Sequence, residues 1–539
     1  MIKNIFKAIG FLSLVVTALN PVLAQENSTP ASIAKSRLQN IWINNTTNAA
    51  GGVVDAPTMY SVTDLGYGIT KGDFKYVQQG DDNNQVKFHT EGGGIYKELN
   101  NMFLWGEFSF QRDKIEGARF NCSMYDPMRD MPFFLGDSTA SKWVNQEYNV
   151  KMKASSPKLW NFLTLGVTGS YMTAQGAKQI DPRPLMNVSK FDIGASALFE
   201  LGKGHFIGLN YDYYSRREDG NASNTNNRNV PTCWEFTAPG FFREAVIDYY
   251  SSIITTRYYH SNTMGGGIQY GFKNDNWNIL LAGNYTQRVE DVTPEHLDMS
   301  AGNGAATTPL KMLGTVKEDI YTGKLLVNYT FNNGNFLALN ASYEENSVDG
   351  IEYFQTFDNS YEVQKWIVNA KYTRSNISKV KTAVKLDYVV NDGNVYKWWF
   401  GANFTSGTND WIYYSHNCNQ DVKNNFFGLF ASRHIKFNEN NSLTVNLNGG
   451  MSKNAESVMN YTGSGTQADN FGWTMFTLKD FNFLSSDYTK FGGELSYAYS
   501  GFKNSSMSLF VTAALDHYSP DSKEFNKRTY TNFKVGIAF

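Results

Sequence analysis

Three neighbouring pairs in the chain carry residue types that do hydrolytic chemistry: His260-Ser261, Ser415-His416 and Asp516-His517. A base beside a hydroxyl nucleophile, or a carboxylate beside a base, needs both side chains on one face and within hydrogen-bond reach. On a strand, neighbours point to opposite faces, so none of the three pairs can work in place. The 7 His form no HxH or HxxxH ligand pair. The stretch EDVTPEHLD, Glu290 to Asp298, is rich in carboxylates. Its spacing matches no standard Ca²⁺ loop, and it reads as a solvated acidic loop. Gly92-Gly93-Gly94 and Gly265-Gly266-Gly267 open no helix, so they are not phosphate loops. They read as mid-strand glycines that leave room on an inner face. The expectation is a chain that is not an enzyme, with no catalytic residue, no cofactor and no metal.

One set of charges is patterned. Lys365, Lys371, Lys381 and Lys385 share a phase with Asp387, while Trp366, Val368, Ala370, Tyr372, Thr382, Val384, Leu386 and Tyr388 occupy the opposite phase. Read as two adjacent strands joined by a turn at 375–379, the lysines would form a locally positive wall. Such a wall inside a pore favours anions. The alternative is that each lysine pairs with a carboxylate of a loop or of the N-terminal segment and stiffens the interior.

The elements that would carry these residues are strands. Met264, Gly266, Ile268, Tyr270 and Phe272 lead into KNDN, and Trp277, Ile279, Leu281, Gly283 and Tyr285 follow. Tyr321, Gly323, Leu325, Val327 and Tyr329 lead into NNGN, and Leu337, Leu339, Ala341 and Tyr343 follow. Alternation with period two marks strands with one apolar face, and Asn, Asp and Gly suit the tight turns between them. Opposite the Trp277 series stand Asn278, Leu280, Ala282, Asn284 and Thr286. Charges keep to one phase, and the 32 Tyr and 38 Phe recur at the ends of the apolar phase, where a membrane barrel places its aromatic girdles. Only 13 residues are Pro, which suits long uninterrupted strands. The mean hydropathy of −0.41 does not argue against a membrane, because a barrel needs an apolar residue only at every second position.

The ends bound the location. Lys3 and Lys7 precede the short apolar run Ala8 to Leu19, and Val22-Leu23-Ala24 is a small-residue cleavage site. Residues 1–24 read as a secretory signal peptide, cut before Gln25. No later apolar run is long enough for a spanning helix. Residues 25–57 read as a periplasmic segment, either folded into the barrel mouth or a loose tail, and 58–539 as the barrel. The chain closes on TNFKVGIAF, in which Phe533, Val535, Ile537 and Phe539 alternate with polar or small residues. That is a last strand able to pair with the first; it resembles the closing strand of outer-membrane barrels, and the resemblance implies recognition by the barrel-assembly machinery. The formal charge of −2 gives no argument for a nucleic-acid partner. Cys122, Cys233 and Cys418 allow at most one bridge and leave open which.

Short turns near 202–204, 273–276, 332–335, 375–379, 407–410 and 438–441 alternate with longer links such as 115–144, 218–256 and 455–487. One link on the long side, 391–394, is short and breaks the rule. The fold expected is all-β, a transmembrane antiparallel up-and-down barrel with short periplasmic turns and long extracellular loops. It has about twenty strands, within bounds of about eighteen to twenty-two.

The segments GDFKYVQQG, GGGIYKELNNMFLWGEFSFQRDKIEG and YDPMRDMPFFLGDS resemble a family of Bacteroidota outer-membrane β-barrel proteins of unknown function. The resemblance runs over most of the mature chain. It implies a location in the cell outer membrane and contact with outer-membrane lipid and the barrel-assembly machinery. It also implies an accessory role beside a TonB-dependent receptor, with no activity to carry over. The first functional expectation is a channel or uptake-accessory barrel with a polar, mixed-charge lumen for small solutes. The second is a plugged binding or structural barrel whose outer loops capture a ligand or partner, and the third an importer of hydrophobic compounds similar to the fatty-acid channels.

Overall fold

The alternating segments close into one sheet in the computed structural model, which describes residues 28–124, 131–223, 225, 233–238, 241–245, 257–294, 312–358, 360, 365–414, 418–462, 471–502 and 506–539. The signal-peptide reading of 1–24 lies outside the described residues. In chain order the strands are β1 (Tyr60–Gly72), β2 (Asp82–Tyr96), β3 (Met102–Ala118), β4 (Leu135–Asp137), β5 (Ser141–Ser155), β6 (Leu163–Lys178) and β7 (Arg183–Gly202). There follow β8 (His205–Ser223), β9 (Cys233–Ala238), β10 (Phe241–Ala245), β11 (Arg257–Lys273), β12 (Trp277–Pro294), β13 (Gly314–Thr330) and β14 (Phe336–Asp358). The last are β15 (Lys365–Asp392), β16 (Val395–Tyr413), β17 (Cys418–Lys436), β18 (Asn441–Asn460), β19 (Tyr488–Tyr499), β20 (Ser508–Pro520) and β21 (Arg528–Ala538). Eighteen of them form a single antiparallel sheet, and β10, β9 and β4 form a small separate one.

The sheet has no free edge, because β1 pairs with both β2 and β21. Leu65 stands opposite Val535 and Tyr67 opposite Phe533, all four exposed on the outer face. Beyond the last ladder pair, Phe539 N donates to Ser61 O at 2.8 Å and Ser61 N donates back to Phe539 O at 3.2 Å. Closure satisfies every strand's backbone inside the sheet, the condition for crossing hydrocarbon.

The outer face carries the apolar band. The rings of Trp277 and Tyr329 meet at 4.6 Å near one rim, and those of Tyr285 and Tyr321 at 4.9 Å further up the same strands. Eight residue steps separate the two levels, about 26 Å along the strand and roughly 20 Å of height once it tilts. Leu281, Leu325, Val384 and Leu386 lie exposed between them. A closed sheet with an apolar, aromatic-edged exterior and polar interior is a transmembrane barrel, and its place is the outer membrane. The start of β1, the end of β21 and the tight turns 203–204, 274–276 and 393–394 share one rim, the periplasmic one.

Eighteen strands rather than twenty follow from β15 and β16. The expected turns at 375–379 and 407–410 lie inside these strands, and 391–394 is a tight turn on the periplasmic rim, so the link that broke the rule obeys it. β15 has 28 residues, far beyond the roughly 9–11 that a tilted strand needs to span. Its polar stretch Ser375–Lys379 therefore continues the wall beyond the bilayer, where an apolar outward face is not required. Asn376 donates there to Ser347 Oγ at 3.0 Å and to Asp349 Oδ1 at 2.8 Å on the neighbouring strand.

Candidate functional site in the barrel lumen

Two groups of residues fill the two ends of the lumen. At the periplasmic end lies the segment before β1. Thr29 caps a helix, Pro30–Gln39, by a reciprocal pair of bonds with Ser32, and Pro30 occupies the first turn, where no amide proton is needed. A five-residue helix, Ile41–Asn45, follows. Trp42 is fully buried in a cluster with Ile41, Ala50, Val54 and the wall residues Leu198, Leu280 and Leu326. The wall leaves room for its ring by omitting side chains. A Cβ at Gly271 would lie 2.5 Å from the Trp42 ring, and one at Gly208 3.0 Å from it.

Polar side chains of the wall bind the backbone of this plug. Lys153 Nζ donates to Ile43 O at 2.7 Å, and Lys324 Nζ to Asn45 O at 3.0 Å. Asn328 Nδ2 donates to Leu38 O at 3.1 Å, and Lys273 Nζ to Val54 O. Carbonyls at helix C-termini lack partners of their own and carry partial negative charge, so ammonium and amide donors suit them. Asn48 Nδ2 reaches Gln269 Oε1 at 2.8 Å, Thr47 Oγ1 donates to Asp212 at 2.9 Å, and Arg37 pairs with Glu91. Asp55 accepts from Ile43 N at 2.8 Å. Burial pushes its carboxyl up to about 7, against the pull of the Ile43 and Trp42 amides.

At the outer end the filling is apolar. Phe120, Phe133 and Phe134 from the link after β3, Phe236 of β9 and Phe476 from the link before β19 meet Tyr259, Val292, Val316, Val348, Ile377 and Trp411 of the wall. Phe134 stacks on Phe236 at 3.6 Å, and Phe120 meets Phe476 edge-on at 5.6 Å. Beside this cap an ion pair, Lys178–Asp137, is wholly buried. Cys122 lies 3.5 Å from the same Asp137, and all three cysteines are buried free thiols. Outward of Trp42 and against the plug lies a polar cavity of about 270 Å³, lined by Asn45, Thr47, Lys153, Gln269, Asn284 and Lys324 among others.

The residues singled out in the sequence fall as follows. Lys381 and Lys385 point inward on β15, opposite Glu344 and Asn340 of β14. Lys385 pairs with Asp387 at 2.9 Å, and Trp399 Nε1 also donates to Asp387 at 2.8 Å. Lys371 is on the same strand, not an adjacent one. It sits about 33 Å along the strand from Lys381, beyond one bulge, with its ammonium 4.8 Å over the Tyr353 ring. The side chain of Lys365 lies outside the described residues. The four lysines thus do not form one wall on two paired strands. Phe533, Val535 and Ile537 lie on β21, and Phe539 follows it.

His260 is exposed and Ser261 buried, so they face opposite ways; Asp516 pairs inward with Lys490 at 3.2 Å while the His517 ring lies 4.9 Å from the exposed Phe491. Ser415-His416 lies outside the described residues. Glu290 is not in a solvated loop: β12 runs on to Pro294 and buries it completely. The rest of that acidic stretch, 295–298, is outside the described residues. Gly267 leaves room for the Asn284 amide rather than for the plug. The plug residues Ile41 and Trp42, their lysine partners and the inward Leu280 and Leu326 were not singled out. Their signal was present: apolar residues on a phase otherwise polar, and IWI inside a polar lead-in.

The molecule is an outer-membrane β-barrel with its lumen filled from both ends. The chain belongs to the Family of unknown function (DUF6850), whose profile matches residues 49–539. No curated protein matches it. Among solved structures it is similar to BauA, the ferric preacinetobactin receptor from Acinetobacter baumannii, at 10% identity and a TM-score of 0.42, over 89% of this chain and 80% of that one. It is similar to the copper transporter OprC at 9% identity and a TM-score of 0.37, over 88% of this chain and 80% of that one. A third is the ferric-catecholate import receptor Fiu from K12 E. coli, at 8% identity and a TM-score of 0.38, over 89% and 82%.

Proposed function

We propose that the protein is a plugged, non-enzymatic barrel whose outer links capture a ligand or partner, and that it is not an open diffusion pore. The observation that carries this is the double filling of the lumen: Trp42 has no exposed surface at the periplasmic end, and Phe120 has none at the outer end. A porin keeps a continuous aqueous path. Here that path would have to pass the plug packed around Trp42 and cross the apolar outer cap, where a hydrated solute is not stable.

The test is the conductance of the intact chain in planar bilayers. The expected result is silence at moderate voltage. A steady ohmic current from every inserted barrel would overturn the reading and restore the first expectation, a solute channel. The cavity between plug and wall favours that channel reading in a gated form, with Lys381 and Lys385 as anion-selecting groups. Their replacement by Gln would then lower the anion preference read from reversal potentials. The cavity's polar lining gives no support to an importer of hydrophobic compounds. As part of the same proposal, residues 1–24 are a signal peptide, the chain comes from a Bacteroidota source, Phe533 to Phe539 are the assembly signal, and a TonB-dependent receptor is the candidate partner.

A further inference from the structure

The lipid face of the barrel is not uniform. Across β15–β18 two register rows run side by side: Tyr388–Phe400–Ala431–Leu447 and Leu386–Ala402–Leu429–Gly449. The small residues Ala402, Ala431 and Gly449 form the floor of a groove of about 550 Å³, and large apolar side chains form its walls. Leu429 and Leu447 stand 71% and 61% exposed, among the most prominent apolar side chains of the outer face. The next row towards the periplasm places Arg433 opposite Trp398. The guanidinium lies 4.5 Å over the Trp398 ring and donates to Lys397 O at 3.3 Å. Among the described residues no carboxylate pairs with it, whereas the neighbouring Lys436 pairs with Asp392 at 3.2 Å.

We propose that this groove is a site for one anionic phospholipid of the inner leaflet, with an acyl chain along Ala402 and Ala431 and the phosphate on Arg433. The groove faces hydrocarbon, and Arg433 is close to the periplasmic turns 393–394 and 437–440, at headgroup depth beside an interfacial Trp. An unpaired guanidinium at that depth calls for an anion, and a planar fork suits phosphate oxygens. A second copy of the chain fits less well, because a two-fold contact through the groove would bring two unpaired Arg433 groups together. Lipopolysaccharide is excluded by depth, since it occupies the other leaflet.

The test is native mass spectrometry of the full chain after reconstitution in vesicles of equal parts phosphatidylglycerol and phosphatidylcholine and release into mild detergent. The expected result is one retained phosphatidylglycerol per barrel, favoured over phosphatidylcholine by about fivefold, the effect of one charge near the headgroups. Arg433→Gln should remove the preference, Arg433→Lys should restore much of it, and Ala431→Trp should fill the groove and cut retention of both lipids. Heat-modifiable migration confirms that each variant is a folded barrel. Equal retention of the two lipids, retention unchanged in Arg433→Gln and Ala431→Trp, or a dimer that retains no lipid would each overturn the proposal.

Discussion

The two ends of the lumen are closed by different chemistry. At the periplasmic end one buried indole is surrounded by bonds from wall lysines and amides to backbone carbonyls. At the outer end a cluster of aromatic rings meets an apolar wall. Hydrogen bonds to a departing segment are exchanged for bonds to water, so each contributes only about 1–3 kcal/mol net. Burial of a large aromatic contributes about 3–5 kcal/mol at each position. The periplasmic plug is thus held largely by polar bonds around one buried indole, and the outer cap by apolar burial.

The largest effect comes from breaking the closure that both ends depend on. Deletion of Ile537 to Phe539 removes the last pairs with Ser61, Val62 and Thr63. It should abolish the heat-modifiable folded form in the outer-membrane fraction; normal folded levels would show that the terminal pairs are dispensable. Next in size, Phe236→Ala should cost the cap about 3–5 kcal/mol. Limited proteolysis should then cut the outer links faster while the segment before β1 keeps its protection. Equal exposure of both ends would mean that cap and plug are one cooperative unit.

The adjacent residues Leu325 and Lys324 face opposite ways, Leu325 towards lipid and Lys324 towards the plug. Leu325→Arg places a charge against lipid and should lower the yield of folded barrel, at about 2–4 kcal/mol near the midplane. Lys324→Ala should leave the barrel folded and free the Asn45 carbonyl, seen as faster hydrogen exchange in residues 41–48 alone. The reverse pattern would invert the assignment of inner and outer faces.

The outer face was legible from sequence because lipid imposes one rule on every strand. Charges stay off the middle of that face, and aromatic residues gather at its edges, so period alone assigns the Trp277 and Tyr321 series. The inner face obeys no such rule. Leu280, Leu326, Val292 and Ile377 occupy the phase of Asn278 and Thr286, and what they touch comes from the chain before β1 or from links far away in sequence. Alternation holds no information about that filling. The strand count failed for a related reason. Once β15 passes the bilayer its outward face is free to be polar, and Ser375–Lys379 then has the composition of a turn.

The smallest effect expected is one of pH. Asp55 is held protonated more readily in the docked plug than its ordinary 3.8 would give, up to about 7. The docked state therefore binds the extra proton, and docking is favoured at acidic pH. It should weaken as pH rises from about 4 to about 7, the window between the two values, and stay level above. The protection of residues 41–55, taken as their exchange relative to the intrinsic amide rate at each pH, should fall over that window. Asp55→Asn, which stays neutral and can still accept from Ile43 N, should remove the trend; a trend unchanged in that variant would assign it to another group.

A series arrangement of the two closures follows from their places at opposite ends of the lumen. It is tested most directly by sugar efflux from vesicles carrying four chains: intact, lacking residues 28–57, with residues 119–140 replaced by a short Gly-Ser link, and with both changes. If all four give folded barrels, only the doubly opened chain should release the sugar. Release through the intact chain, or full release once either end alone is opened, would contradict it.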